Sequence, residues 1–366
     1  MRIRELSLVG FRNYRKQSVT FDPGIHLLVG QNGAGKTNLL EAIYVLSVAK
    51  SYRASDNDLI NEDADFAKIK ASVETKDKQF SLTMVISSEG KKAMRNQAEV
   101  KRLSDYIGQL NIISFLPEDL SIVKGSPGRR RYFVDLFLSQ SDKHYLNALS
   151  EYRQIMRQRN DLLKSKQHYS DLDDVFLDVL NEQLSDPAAN IVAKRQAFIN
   201  HLNGVATDMY QSISGKNVDF KIAYRPSVDN HFFNHFQDRN KRDFRLGVTT
   251  QGPHRDDLLF TLDGHDADRY ASQGEQRTMV LALDMALNEM IIGMTGEPPV
   301  FLLDDVFSEL DKDRQNNLIE YLNQKGQQAL ITTTSLRQID MDILQATTLL
   351  KIKAGTIKEE RTHGTL

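Results

Sequence analysis

The stretch GQNGAGKT, residues 30–37, constrains the fold more than any other part of the chain. It satisfies G-x-x-x-x-G-K-[ST] through Gly30, Gly35, Lys36 and Thr37, with Gln31, Asn32, Gly33 and Ala34 between the fixed positions. The apolar run IHLLVG precedes it, and TNLLEAIYVLSVA, apolar at helical spacing, follows. Strand, loop and helix in that order are the setting such a loop requires, so an α/β core is expected. Glycines let backbone N–H groups turn toward a phosphate, and the helix behind opens with unsatisfied donors and a positive dipole end. Lys36 is placed to reach the β- and γ-phosphate oxygens of ATP, and the Thr37 hydroxyl to take one place on Mg²⁺. Residues 30–38, Asn38 included, form the expected nucleotide-binding segment.

The chain has 366 residues, 40% of them hydrophobic, enough for two domains or one large domain with an insertion. No run of about 18 apolar residues stands out, so neither a membrane span nor a membrane partner is expected. The opening MRIRELSLVGFRNYRK spaces its charges too regularly for a secretory signal. The absence of cysteine excludes disulfides and Cys-ligated zinc and is compatible with a reducing, cytoplasmic location. Net charge is −2, so a polyanionic partner must be met by a local basic patch.

The organisation reads as three segments. Residues 1–128 contain two or three opening strands, the phosphate loop, and the runs AKIKASVET and QFSLTMVIS, which suggest an antiparallel layer beside the nucleotide core. Residues 129–214 have apolar positions at helical spacing and read as an inserted helical arm, interrupted or kinked near Pro187 in SDPAAN. Residues 215–366 begin with a polar, aromatic-containing stretch, followed by VTTQGPHRDDLLFTLDG as strand, loop and strand. His231, His235 and His254 in this region lack a carboxylate-supported zinc pattern and read as surface loop.

A second group of signals lies far from the loop. Ser272 and Glu275 in SQGEQ form a capping box, which marks a helix start and by itself says nothing more. VFLLDDVFSELD, residues 300–311, is a continuous apolar strand ending in Asp304 and Asp305, at the end of a strand where α/β sheets place their ligands. Asp304 is then a Mg²⁺ residue and Asp305 a base that orients water, although two acids after a strand can also be a solvated turn. The order of phosphate loop, long insertion, S-x-G-x-Q helix start, strand with two acids and SELD resembles ABC-type ATPases. In that class the phosphate loop of one subunit faces the signature helix of another, so Ser272, Gly274 and Gln276 are expected to act across a dimer.

Within that class the chain resembles the RecF family, relatives of the SMC and Rad50 ATPases, over nearly its whole length. The resemblance rests on LVGFRNY, GQNGAGKTNLLEAIY, KSYR, FLPEDLSIVKGSPGRRRYFVDLFLSQ, TQGPHRDDLLF, SQGEQRT and LLDDVFSELD. It implies an ABC-type P-loop ATPase head with an antiparallel β layer and an inserted helical arm. It further implies an ATP-dependent homodimer, slow hydrolysis used as a switch, and binding to double-stranded DNA at gaps or junctions. The partners it implies are RecR and RecO, with help in placing RecA on gapped DNA. Arg12 and Asn13, with Tyr14, are candidates for the base or ribose side, where FRNY can equally be a strand edge. Where transporter ATPases carry a switch histidine, this chain has LITTTSL. That, with the long insertion, speaks against the alternative of a transporter motor subunit, and SQGEQ has no place in a single-chain P-loop kinase.

DNA binding requires a patch. From Lys124 to Lys166 ten Lys or Arg stand against four acids, whereas Asp171 to Asp186 carries six acids and no base. Arg129, Arg130, Arg131, Arg153, Arg157 and Lys164 are the expected phosphate contacts. The alternative is a solvated helical pair whose charges match across the two helices.

Overall fold

The computed structural model describes residues 1–165, 168–336 and 339–360. Lys166, counted in the basic patch, lies outside them. The chain divides into two compact units: unit 1 comprises Met1–Leu120, Asp208–Asn217 and Ser272–Leu366, and unit 2 comprises Ser121–Thr207 and Val218–Ala271.

Unit 1 opens with β1 (Arg2–Phe11), β2 (Tyr14–Thr20), β3 (Ile25–Val29) and α1 (Lys36–Val48). β4 (Phe66–Glu74), β5 (Gln79–Ser87), β6 (Gly90–Arg95) and β7 (Ala98–Glu99) follow as a meander, then α2 (Leu103–Tyr106) and β8 (Ile112–Phe115). One sheet, β2-β1-β4-β5-β6-β7, is antiparallel throughout and is the layer expected from the sequence. In β4, Ala67, Ile69, Ala71 and Val73 are buried while Lys68 and Lys70 are exposed, a period of two that turns one face to the core.

Unit 2 contains α3 (Ser121–Lys124), α4 (Pro127–Ser141), α5 (Lys143–Lys164) and most of α6 (Asp174–Ser214). β9 (Phe220–Arg225), α7 (Phe232–Leu246), β10 (Asp257–Leu262), β11 (His265–Asp266) and α8 (Ala267–Tyr270) complete it. α5 starts where the Asp142 carboxylate accepts the N–H groups of His144 and Tyr145 at 2.8 and 3.2 Å, a side-chain cap. Of the interruption or kink expected at Pro187, the interruption does not occur: α6 runs for 41 residues with Pro187 inside it, about 60 Å at 1.5 Å per residue. A proline deletes one helical N–H and crowds the preceding turn. Here the buried stripe Leu177, Leu180, Leu184, Ala188 and Ile191 continues across it and outweighs that loss.

Of the arm read as 129–214, residues up to 207 belong to a unit that also takes in 218–271, and 208–214 fall in unit 1. β9 and β10 pair antiparallel from Arg225–Asp257 to Phe220–Leu262. Arg195 of α6, 3% exposed, ties the unit together, donating to the Asp135 carboxylate at 2.7 Å, the Asp256 carboxylate at 2.9 Å and the Pro253 carbonyl at 2.7 Å. The strand expected at 248–252 is absent, and His254 is no surface histidine, since its ring nitrogens meet the Tyr152 hydroxyl at 2.7 Å and the Thr249 carbonyl at 2.9 Å.

The chain re-enters unit 1 through α9 (Gln273–Thr295), β12 (Val300–Leu303), α10 (Val306–Glu309) and α11 (Lys312–Gln324). β13 (Ala329–Thr333), α12 (Met341–Gln345), β14 (Thr347–Lys353) and β15 (Thr356–Glu360) follow. The second sheet has the order β15-β14-β3-β13-β12-β8, parallel except for the β14–β15 hairpin. Every residue of β12 and β13 is buried, as a central parallel strand requires. By length and composition α9 alone among the described helices is apolar enough to cross a membrane, a signal the sequence reading passed over. It is a core helix here, with 72% of its most apolar window buried.

Candidate nucleotide site

The phosphate loop joins β3 to α1 at the middle of the mixed sheet. Gly35 has φ 115°, and a Cβ there would lie within 3.0 Å of the Asn13 and Tyr14 side chains. A Cβ on Gly30 would lie 2.2 Å from the Ile352 carbonyl oxygen, so both glycines are required by close approach. α1 has no side-chain cap and no acid in its first turn. Its opening N–H groups and dipole are left for an anion. Lys36, 7% exposed, donates to the carbonyls of Gly30 and Gln31 at 2.7 and 3.0 Å. Burial lowers its ammonium pKa, and the charges of Asp304 and Asp305 work against that fall.

Arg12, Asn13 and Tyr14 lie behind this loop. Asn13 donates to the Ala34 carbonyl at 3.1 Å and accepts from Asn38 at 2.8 Å, and Tyr14 donates to the Gly35 carbonyl at 2.9 Å. Gly355 N–H also reaches Ala34 O at 3.0 Å. Arg12, at φ 52° in the β1–β2 turn, clamps the buried Glu41 carboxylate with two 3.0 Å bonds. Arg53 and Ser51 complete that cluster at 2.9 and 2.6 Å. Burial opposes ionisation of Glu41, but the bonds from Arg12, Arg53 and Ser51 prevail and hold its carboxyl below the ordinary value. Arg12 and Asn13 also line a cleft of about 1100 Å³ with Asn38 and Arg53, roomy enough for a base and ribose.

The two acids stand at the end of β12. Asp304 accepts from the Thr37 hydroxyl at 3.0 Å and from the Thr332 hydroxyl at 2.7 Å. Asp305 has φ 52°, a left-handed conformation uncommon for residues with a side chain, although Asp tolerates it better than most. Its N–H donates to Thr332 Oγ1 at 2.8 Å, and its carboxylate accepts from Ser308 at 2.8 Å. Thr332 therefore ties both acids together, a role not read from TTT beyond the general hydrogen-bonding capacity of threonine. A hydroxyl and a carboxylate 3.0 Å apart at the loop are the hard oxygen donors that suit Mg²⁺. No cluster of three or more His, Asp or Glu suited to a metal occurs among the described residues.

Ser272 caps α9 with the full capping box: its hydroxyl accepts Glu275 N–H at 3.3 Å, and Glu275 accepts Ser272 N–H at 2.8 Å. These bonds with Ser272 hold the Glu275 carboxyl below its ordinary value. Among the described residues no hydrogen bond of Ser272 reaches the phosphate loop. Gln276 is only 7% exposed, unlike Ser272. Arg277, one residue on, pairs with Glu309 of the SELD segment, linking the signature helix to the residues after the acids.

The basic set in unit 2 is split by the structure. Arg129, Arg153, Arg157 and Lys164 are exposed, and Arg131 is half-buried. Arg130 is corrected from phosphate contact to structural residue: it is 7% exposed and bonded to Asp257 at 2.6 Å and to the Gly125 carbonyl at 2.9 Å. Arg159, counted in the patch, is fully buried and satisfied by Asn181, Asp243, Thr249 and Asn240 at 2.8–2.9 Å. Its spacing carried the signal, because Tyr152, Ile155, Arg159 and Leu163 continue the buried face of α5. Among the described residues the bases of α5 do not pair with the acids of 171–186; Arg153 pairs with Asp135 and Arg159 with Asp243, and the ion pair between α6 and the start of α5 runs the other way, from Lys194 to the cap residue Asp142.

A phosphate loop on the central strand of a mixed sheet, paired acids on a strand of the same sheet, and a capped signature helix define the head of an ABC-type ATPase. Residues 2–358 match the family described as RecF/RecN/SMC N terminal domain. The chain is 41% identical over 369 residues to the DNA replication and repair protein RecF of Geobacillus sp. (strain WCH70), covering 98% of each. The solved structure of the recombination mediator protein RecF with ATP, of the RecFOR pathway, superposes with a TM-score of 0.88 at 30% identity, over 98% of this chain and 97% of that one. The Smc head domain of Pyrococcus furiosus shares the fold, with a TM-score of 0.58 at 17% identity over 98% and 95%. The chain belongs to the RecF family.

Proposed function

We propose that this chain is an ATP-gated DNA-binding protein of recombinational repair and replication restart, acting in the cytoplasm as a dimer that closes on ATP. The observation that carries the reading is a half-built site. The loop, Lys36, Thr37 and both acids are bonded into one cluster, while the Ser272 cap is engaged only within its own helix turn. Lys36 and the N-terminus of α1 bind the phosphates, and Arg12, Asn13 and Asn38 shape the base and ribose side. Thr37 and Asp304 hold Mg²⁺, which when bound neutralises phosphate charge. Asp305 orients the attacking water, and Ser272 and Gly274 grip the γ-phosphate from the opposite subunit, with buried Gln276 supporting that turn from behind.

Binding of ATP is the clamp, and slow hydrolysis is the release. The similarity to replication and repair proteins, and to the ATP-bound recombination mediator of the RecFOR pathway, supports double-stranded, gapped or junction DNA as the target. RecR and RecO are the proposed partners, with RecA loading as the outcome. Arg129, Arg153, Arg157 and Lys164 are the proposed phosphate contacts on unit 2, with Arg131 in a more enclosed position. Sedimentation of the protein with and without ATP, and with and without gapped DNA, tests the reading. A dimer that forms only with ATP and is reinforced by DNA is expected; a monomer under all four conditions sinks it.

A further inference from the structure

Unit 2 contains a cavity of about 250 Å³ between α4, α5 and the turn at Pro253–Arg255, whose polar wall includes Arg131, Tyr152, Arg153, Arg195, His254 and one acid, Asp135. Its charges do not balance. Asp257 is taken by Arg130 at 2.6 Å, Asp256 by Arg195 at 2.9 Å, and Asp135 by Arg195 and Arg153 at 2.7 and 3.0 Å. Arg131 has no carboxylate partner among the described residues; its Nη1 donates to the Asp256 main-chain carbonyl at 2.6 Å. Burial, and then the charge of Arg195, lower its hold on the proton, yet a guanidinium remains charged. His254 adds no charge near neutral pH. The Thr249 carbonyl can only accept, so His254 Nε2 carries the proton and Nδ1 accepts from Tyr152, and burial holds the ring's pKa down at about 4.

One positive charge is therefore left over in a partly enclosed space, with Nε and Nη2 of Arg131 and Nε and Nη1 of Arg153 in no hydrogen bond of the described residues. We propose that this cavity binds a phosphomonoester, with Arg131 as its pairing group and Arg153, 56% exposed, at its mouth. Carboxylates here already accept from two guanidinium groups, as Asp135 does from Arg195 and Arg153; a phosphomonoester carries more charge and three terminal oxygens, so it can take the fork of Arg131 and still accept from Arg153. The cavity's size admits a phosphate with its sugar and excludes a strand that enters and leaves. The ligand is accordingly the phosphorylated end of a nucleic acid strand, which rests on the DNA-binding reading above, or a free nucleoside monophosphate.

Gapped duplexes that differ only in a phosphate or hydroxyl at the 5′ end, and a second pair differing at the 3′ end, separate the sources when affinity is measured by fluorescence anisotropy with ATP. For a strand end, one phosphorylated form binds about tenfold tighter; Arg131→Gln removes the preference and Arg131→Lys restores part of it. For a free monophosphate, inorganic phosphate and nucleoside 5′-monophosphate raise the melting temperature at fixed ionic strength, and Arg131→Gln loses that rise. Should Arg131→Gln fail to fold, Arg153→Gln must reduce the same preference or the same rise. Equal binding of all ends, together with no melting shift from either small phosphate, overturns the proposal. ATP-dependent DNA binding that survives without end preference or melting shift overturns this inference alone, whereas DNA binding indifferent to ATP overturns the reading beneath it.

Discussion

Lys36 and Asp305 occupy opposite ends of one chemical sequence, and their environments differ accordingly. Lys36 is held inside the loop by two carbonyls, whereas Asp305 is partly exposed in a left-handed turn. Lys36→Met should abolish ATP-driven dimerisation by removing the phosphate-binding ammonium. Asp305→Asn should slow hydrolysis by about 10²- to 10⁴-fold while trapping the dimer; parental turnover with no gain in dimer would remove Asp305 from the role of base. His254 makes a separate prediction about stability. Its folded pKa, about 4, lies below the ordinary 6.5, so the folded state binds fewer protons than the unfolded chain between those values. The sign is therefore a contribution fully present above pH 6.5 and lost as pH falls toward 4. Its size is roughly 3 kcal/mol at most. Urea unfolding of His254→Gln, whose amide can meet both Thr249 and Tyr152, should show a shallower loss across that range, and an unchanged pH profile would contradict the assignment.

At the scale of elements, α9 and α5 carry the predictions. Ser272→Arg puts a bulky cation at the cap that the proposed dimer presents to the opposite subunit, so it should leave ATP binding by the monomer nearly intact and block dimerisation and hydrolysis. A mixed dimer with Lys36→Met should recover at most one working site; loss of ATP affinity in the Ser272→Arg monomer would mean a site built within one chain. On α5, replacing Arg153, Arg157 and Lys164 with Gln should flatten the slope of log K against log salt by about 2 to 3 units on gapped duplex if all three contact phosphate. Arg153 also holds Asp135, so its share could be smaller; an unchanged slope would move the DNA site off α5. The elements also show where sequence reading succeeds and where it stops. β4, α9 and β12 were legible because period, cap and apolar run are local signals. The uninterrupted α6 and the burial of Arg130 were not, because each is decided by partners distant in sequence, such as Asp257; for Arg159 the spacing on α5 pointed inward, but the partner that neutralises it, Asp243, is 84 residues away.

On the scale of the whole molecule, the nucleotide site is assembled from sequence extremes. Thr37 meets Asp304 across 267 positions, and Gly355 reaches Ala34 from near the other end. The motifs of this site were therefore legible one by one, while their bracing by Asn13, Tyr14, Thr332 and Gly355 was not, since no local pattern marks a residue that holds another in place. A chain ending at residue 299 lacks β12 to β15 and leaves the acids out altogether. Such a fragment should retain no ATP binding by equilibrium dialysis and should expose apolar surface to a fluorescent dye; a folded, ATP-binding fragment would show that residues 1–299 close the site unaided.

The mixed sheet places β3 between β13 and β14, both made from the last forty residues of the chain. On the ribosome, the strand that bears the phosphate loop is among the first to emerge and among the last to find a neighbour. For most of synthesis, IHLLV is an unpaired apolar segment waiting for residues 329–353 to be translated. Long-range pairing of this kind is slow and leaves edges open to other chains. Pairing around the phosphate loop thus waits for residues 329–353, and production of this protein in quantity should depend more on slow translation and chaperone supply than on the stability of its finished fold.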